Sequence, residues 1–248
     1  MGITLYGGLG VLYGFWDPTY WMIIVGGALS LLASAKVKST YRKYSTSRNR
    51  AGITGAQAAQ RILEKNGIMN VSIQQISGNL TYHYDPKNEV LSLSTDVYQS
   101  TSVAAVGVAA HECGHAIQHQ KAYYPLHLRS AFVPVARFGS AISWPMIIVG
   151  FLLGGATTGG TIGGYLIQIG IAFFSLAVIF QLITLPVEFN ASKRALVALD
   201  TQGILTSEEL KGTKKVLGAA ALTYVAGAAA AILQLLRLLY LFGGRSRD

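Results

Sequence analysis

Apolar residues in this chain gather into four long runs separated by polar stretches with shorter periodicities. The first run, roughly Pro18 to Ala35, reads PTYWMIIVGGALSLLASA, with Tyr20 and Trp21 at its start as interfacial anchors. The others cover Val135 to Gly155, Ile162 to Leu185, and Val216 to Leu236 or slightly beyond. Each approaches the roughly 20 residues that a bilayer-spanning helix needs, so four transmembrane helices are expected. Arg137, near the start of the second run, marks the interface. The Gly-rich MGITLYGGLGVLYGFW ahead of the first span either lies on the membrane surface or extends that span, and its glycines argue against an independent helix.

Between the first two spans the pattern changes to that of a small α+β unit. In TGAQAAQRILEKNG, Thr54 is a helix N-cap, Ala58, Ala59, Ile62 and Leu63 form an apolar stripe, and Gly67 is a stop. VSIQQI and LTYHY read as strands, and YDPKNEVLSLS adds a turn at Asp85–Asn88 and a further strand. VLSLS is a candidate sheet edge for taking an extended peptide by strand addition, the alternative being a core strand. A helix starts near Ser100–Ser102 and runs on through a cluster of histidines.

Charge then orients the chain. Of 248 residues only 12% are charged, the mean hydropathy is +0.41, and the net charge is +9. The basic residues lie beside the apolar runs, which suits anionic lipid headgroups and excludes nucleic acid as the expected partner. AKVKSTYRKYSTSRNR carries Lys36, Lys38, Arg42, Lys43, Arg48 and Arg50 with no acid, so residues 36–130 are expected in the cytoplasm and the N-terminus outside. Spans two and three then form a hairpin whose outer loop, GATTGGTIGG, is uncharged. Residues 186–215 return inside with Lys193, Arg194, Lys211, Lys214 and Lys215, whereas Arg245 and Arg247 fall outside, against the trend. A secretory signal peptide is not expected, since the first residues lack a basic region and LLASA runs into a basic stretch, as a retained anchor would. The single cysteine, Cys113, excludes an internal disulfide framework. It is expected to pack on the helix face away from any metal.

The chemistry concentrates in VAAHECGHAIQHQ. HECGH matches H-E-x-x-H, which puts His111 and His115 one turn apart on one helix face where both imidazoles reach one zinc ion. Glu112 projects beside them, placed to take a proton from water rather than to bind metal. The apolar, small-residue run SVAAVGVAA before it argues for a buried, rigid helix and against a surface helix with incidental histidines.

A catalytic zinc site needs a third protein ligand. His119 lies one turn further along the same face, but roughly 12 Å along the axis from His111, too far for one tetrahedral centre. It is expected beside the metal ligands, on the substrate side, or simply as a polar residue on an exposed turn, and His127 outside catalysis. Among the acids, Asp85, Glu89, Asp96, Asp200, Glu208 and Glu209 fall in turns, strand flanks or a polar connector. Glu188 sits just after the third span in QLITLPVEFNASKRALVAL, where Pro186 can bend the chain at the membrane surface. It is the favoured third ligand, the alternative being an interfacial carboxylate paired with Lys193 or Arg194. Two predicted spans separate His115 from Glu188, an even number, so both ligand sets face one side of the membrane.

STDVYQSTSVAAVGVAAHECGHAIQHQKAYYPLHLRSAFVPVA and LITLPVEFNASKRAL, with KVKSTYRKYS, GITGAQAAQRILEKNGI and HYDPKNEVLSLS, resemble the neutral zinc metallopeptidases of bacterial membranes, the YugP type. The resemblance runs from about Lys36 to Leu199. More distantly the chain is similar to membrane zinc proteases of the HtpX and CAAX-prenyl-protease kind, in which a glutamate of a later helix supplies the third ligand. Their pattern, E-x-x-x-D, has an aspartate supporting a zinc histidine; Ser192 stands at that place here, with Ser192 or Asn190 as neutral substitutes.

The expected protein is therefore an α-helical integral membrane protein with a small α+β cytoplasmic, zincin-like catalytic domain. Its expected divisions are residues 1–35, 36–130, 131–187, 188–215 and 216–248. One Zn2+ per chain is held by His111, His115 and Glu188, with Glu112 as general base. Arg194 is the first candidate to stabilise the oxyanion, with His83 and Tyr224 behind it. Peptide or protein substrates and the lipid bilayer are the expected partners, and the bacterial inner (plasma) membrane the location. Against an intramembrane-cleaving protease, the motif follows a soluble segment and no acid sits inside a predicted span. A silent zinc-binding scaffold is the remaining alternative, and only hydrolysis separates it from an enzyme.

Overall fold

The structure, a computed structural model, describes residues 17–78, 81–155 and 161–243. The N-terminal Gly-rich stretch, residues 156–160 of the GATTGGTIGG loop, and Arg245 and Arg247 lie outside the described residues. In chain order the elements are α1 (Tyr20–Ser45), α2 (Gly55–Lys65), β1 (Ser72–Ile76), β2 (His83–Asp85), β3 (Val90–Ser94), α3 (Thr95–Tyr98), α4 (Val103–Gln120), α5 (Tyr124–Leu152), α6 (Ile162–Thr201) and α7 (Ser207–Phe242).

Helices α1, α5, α6 and α7 are long and apolar enough to cross a membrane. All four overshoot the apolar runs that announced them. Helix α1 continues through the basic stretch to Ser45, and α5 begins at Tyr124 rather than near Val135. Helix α6 is continuous from Ile162 to Thr201 with Pro186 inside it. Proline removes one backbone N–H from the helical ladder, but the turns on either side persist. The third span and the segment bearing Glu188 are thus one helix rather than two.

Contacts divide the chain into two compact units whose boundaries fall inside these four helices. Among the described residues the first comprises 17–31, 135–155, 161–179 and 226–243. Its core is Ile147, Ile167, Ile171 and Leu238, with Phe174, Leu235 and Phe242 against them. Small residues let its helices approach: a Cβ on Gly150 would stand 2.6 Å from the carbonyl oxygen of Gly163, so only glycine fits. Arg237 pairs with Asp17 and lies over the ring of Tyr20.

The second unit comprises Leu32–Pro134 and Phe180–Val225. Thr54 caps α2 through a reciprocal capping box with Gln57, and the helix ends ahead of Gly67, whose φ of +70° suits glycine. The sheet has the order β1-β3-β2, with β1 parallel and β2 antiparallel to β3. VLSLS is therefore the central strand, not an edge: Ser72 to Ile76 pair along one side of β3 and His83 to Asp85 along the other. Its burial agrees, since Leu91 and Leu93 are fully enclosed with Ile62 and Leu63 of α2, Val106 and Ala109 of α4, and Leu199 of α6. Strands with apolar residues on one face seek a helical layer, and the small residues of α4 supply it at close range.

Candidate metal centre

Helix α4 begins where Ser102 Oγ accepts the N–H of Ala105, an N-cap that satisfies one of the free donors of the first turn. From Val103 to Ala110 every side chain is buried, so the helix is gripped on all sides before it reaches His111. Gly114, inside HECGH, has a packing reason: a Cβ there would stand 2.4 Å from the carbonyl oxygen of Ala191. The missing side chain lets α4 and α6 touch backbone to backbone, within reach of Glu188. Cys113 points the other way, its Sγ 3.6 Å from the Ala59 carbonyl of α2, and burial pushes its thiol pKa well up.

His111 and His115 stand edge to face with ring centroids 4.8 Å apart. Oε2 of Glu188 lies 3.2 Å from Nε2 of His111 and 3.7 Å from Nε2 of His115. Ligand atoms of the three residues lie within 4.8 Å of one another. Two nitrogen or oxygen atoms each about 2.1 Å from a tetrahedral ion are about 3.4 Å apart; the two distances from Glu188 Oε2 bracket that value, and the donor set suits zinc in its chemistry.

Glu188 is only 3% exposed, and a buried carboxylate needs partners. Burial alone would raise its pKa, but the hydrogen bond from His111, the approach of His115 and the charge of both rings outweigh it and hold the carboxyl well below the usual range. For His115 burial opposes the charge, and the close approach of Glu188 with the charges of Glu112 and Glu188 prevails, raising its pKa. The second oxygen, Oε1, accepts from Nη1 of Arg129 at 3.1 Å. Arg129, on α5, was not visible as a site residue in the sequence. Neither Lys193 nor Arg194 pairs with Glu188, so the alternative offered for this carboxylate does not hold.

Outer contacts divide between the two histidines. Ser192 Oγ lies 3.1 Å from Nδ1 of His111, filling the place of the aspartate in E-x-x-x-D. Asn190 touches neither ring, meeting Gln118 instead, and Gln118 Oε1 lies 3.0 Å from Nδ1 of His115.

A cavity of about 320 Å3 opens on these ligands, with Glu112, Tyr82, His83, Arg129 and Tyr224 on its wall. Glu112 is 5% exposed. Burial and then the charges of Glu112, Asp96 and Glu188 push the phenol of Tyr82 up to about 12, so it keeps its proton. Tyr82 belongs to LTYHY, read as a strand, but β2 begins only at His83, and nothing in the stretch told which side faced the histidines. His119 is turned away to the hydroxyl of Tyr84, at 2.9 Å from its Nδ1. Arg194 is not among the cavity-lining residues: its Nε donates to Asn190 Oδ1 at 2.7 Å and its guanidinium lies over Tyr123. That corrects its expected place beside the reacting carbonyl, because Asn190 and Tyr123 hold it elsewhere.

Two histidines of one helix facing a glutamate of another make the donor set of a zinc hydrolase. The chain belongs to the family described as "Putative neutral zinc metallopeptidase", whose model matches residues 19–243. It is 45% identical to "Putative membrane protease YugP" of Bacillus subtilis (strain 168) over 228 residues, which are 92% of this chain and 98% of that protein. No solved structure matches the chain.

Proposed function

We propose that this chain is a membrane-embedded zinc metalloendopeptidase of the H-E-x-x-H plus Glu type. The observation that carries the reading is the convergence of Nε2 of His111, Nε2 of His115 and Oε2 of Glu188 on one cavity. These three residues would hold one zinc ion per chain, which when bound would polarise the scissile carbonyl and lower the pKa of a water toward neutrality.

The chain's own groups do the rest. Glu112, on the cavity wall beside the ligands, takes the proton of the attacking water and passes it to the leaving amine. Tyr224 and Tyr82, on the same wall, are the donors for the carbonyl oxygen as it becomes negative, in place of Arg194. The outer edge of β2 is unpaired among the described residues, and Tyr82, His83 and Tyr84 border the cavity. An extended peptide laid along β2, rather than along β3, would carry its backbone past the metal ligands. The substrate is then any peptide or protein segment able to present itself as an extended strand.

We assign the catalytic part to the cytoplasmic face of the inner (plasma) membrane. The support is the acid-free basic run that follows the first span, which favours the cytoplasmic side. Leu31, Leu152 and Ile162 of the long helices are 73–76% exposed, which suits contact with hydrocarbon.

The test is zinc per chain by elemental analysis of detergent-purified wild type and Glu188→Ala, followed by cleavage of an unstructured fluorogenic peptide by wild type and Glu112→Gln. About one zinc in wild type, lost in Glu188→Ala, with hydrolysis lost in Glu112→Gln, supports the enzyme. Zinc without Glu112-dependent hydrolysis would leave a zinc-binding scaffold instead.

A further inference from the structure

We propose that Gln118 is a positioning residue that locks the tautomer of His115, and that Asn190 and Arg194 lock Gln118 in turn. The inference rests on the metal-centre reading and concerns how one of its ligands is prepared.

Gln118 is fully buried, so each polar atom of its carboxamide must be satisfied inside the protein. Its Nε2 donates to the carbonyl oxygen of Val187 at 2.8 Å and to Oδ1 of Asn190 at 3.0 Å, which uses both amide hydrogens. A backbone carbonyl can only accept, so the end of Gln118 facing Val187 must be the NH2. Asn190 is fixed by the same reasoning: its Oδ1 accepts from Nε of Arg194 at 2.7 Å, and a guanidinium can only donate. These two one-way partners remove the usual ambiguity between oxygen and nitrogen in a carboxamide. Gln118 Oε1 is therefore the atom 3.0 Å from Nδ1 of His115, and Nδ1 must carry the hydrogen.

In a neutral imidazole the other nitrogen then bears the lone pair. For His115 that nitrogen is Nε2, the one turned toward Glu188. The ring is thus prepared to bind metal through Nε2 by a chain of hydrogen bonds that begins at Arg194. His111 differs, because Ser192 Oγ can donate or accept and imposes no tautomer on the ring by itself. A carboxamide also orients His115 without adding a further negative charge next to Glu112 and Glu188. This gives Arg194, which is not on the cavity wall, a place in the site.

The experiment uses the full chain in detergent. Zinc affinity is read by competition with a chelator for wild type, Gln118→Leu, Asn190→Leu and Asn190→Asp, with thermal melting of the metal-free proteins as the control for folding. Loss of such an outer hydrogen bond typically weakens metal binding by roughly 10–100-fold, and that is the loss expected for Gln118→Leu. Asn190→Leu should lose less, and Asn190→Asp, which keeps an acceptor for both Gln118 and Arg194, should restore binding to within about threefold of wild type. Histidine-selective 15N spectra of the metal-free wild type, followed up in pH until the His115 ring is neutral, should show its proton on Nδ1. A His115 proton on Nε2, or unchanged zinc affinity in a folded Gln118→Leu protein, overturns the inference while leaving the metal centre standing. If Gln118→Leu does not fold, the wild-type spectrum alone decides. A wild type that binds no zinc would overturn the metal-centre reading, and the spectrum would still decide the tautomer.

Discussion

Nη1 of Arg129 lies 3.1 Å from Oε1 of Glu188, which leaves Oε2 as the oxygen facing Nε2 of both His111 and His115. The guanidinium orients the carboxylate so that one oxygen is spoken for and the other is presented to the histidines. It also supplies the positive charge that a 3% exposed carboxylate requires.

Replacing Arg129 with Met should free the carboxylate to rotate and leave Oε1 without its donor. Zinc affinity is expected to fall by roughly 10–100-fold, as for other residues that orient a metal ligand. Because the arginine side chain is 29% exposed, the cost to the metal-free fold should be about 1–2 kcal/mol, below that of breaking a fully buried pair. Chelator competition and denaturant melts check the two parts separately.

Gly114→Ala tests whether the centre depends on the approach of α4 to α6. With a Cβ 2.4 Å from the Ala191 carbonyl oxygen, the backbones must move apart. A loss of about 1–3 kcal/mol is expected from overpacking, together with weaker zinc binding because Glu188 is carried away from the histidines. An unchanged melting temperature and zinc content would show that the contact is not needed.

The pH dependence of stability should reverse sign when zinc is removed. In metal-free protein, the depressed Glu188 carboxyl contributes stability above its ordinary pKa of 4.5 and loses it as pH falls through the lower folded value. His115, raised above 6.5, contributes fully below that pH and loses its contribution as pH rises through the higher folded value. Chelated protein should therefore melt highest between about pH 4.5 and 6.5 and soften toward alkaline pH. Zinc needs deprotonated imidazoles, so loaded protein should gain stability over the same alkaline range. Melting curves with and without chelator, measured across pH, give both slopes.

Removing the base should separate chemistry from binding. Glu112→Gln is expected to lower hydrolysis at least about 100-fold while zinc content stays at the wild-type level. Tyr224→Phe and Tyr82→Phe, each deleting one hydroxyl on the cavity wall, should lower kcat with little change in KM, and one of them by about 100-fold if it meets the oxyanion. Steady-state kinetics on a fluorogenic peptide tell them apart.

Cys113 should resist alkylation until the protein unfolds. Its thiol is wholly enclosed between α4 and α2, and burial raises its pKa, so little thiolate is present to react. Mass spectrometry after iodoacetamide treatment, with and without denaturant, reads the difference.

The sequence by itself determined what depends on neighbours along the chain. Four apolar runs announced four long helices, Thr54 and Gly67 bounded α2, and the four-residue spacing of His111 and His115 placed two imidazoles on one face. Glu188 was reachable too, because few acids compete with it and an even number of predicted spans returns the chain to the same side. What the sequence missed depends on packing between distant elements. Arg129 lies 59 residues from Glu188, and no period or motif ties the two together, whereas Ser192, 81 residues from His111, was reached only through the E-x-x-x-D pattern of the resembling proteases. VLSLS reads equally as a centre or an edge, and only the pairing of β1 and β2 on its two sides decided it. Arg194 is near Glu188 in sequence, yet helical rotation turns it toward Asn190 and Tyr123. Local periodicity sets which face of a helix a side chain occupies, but what that face meets is set by the tertiary fold, and in the second unit that fold brings α4, α5, α6 and β2 to one cavity.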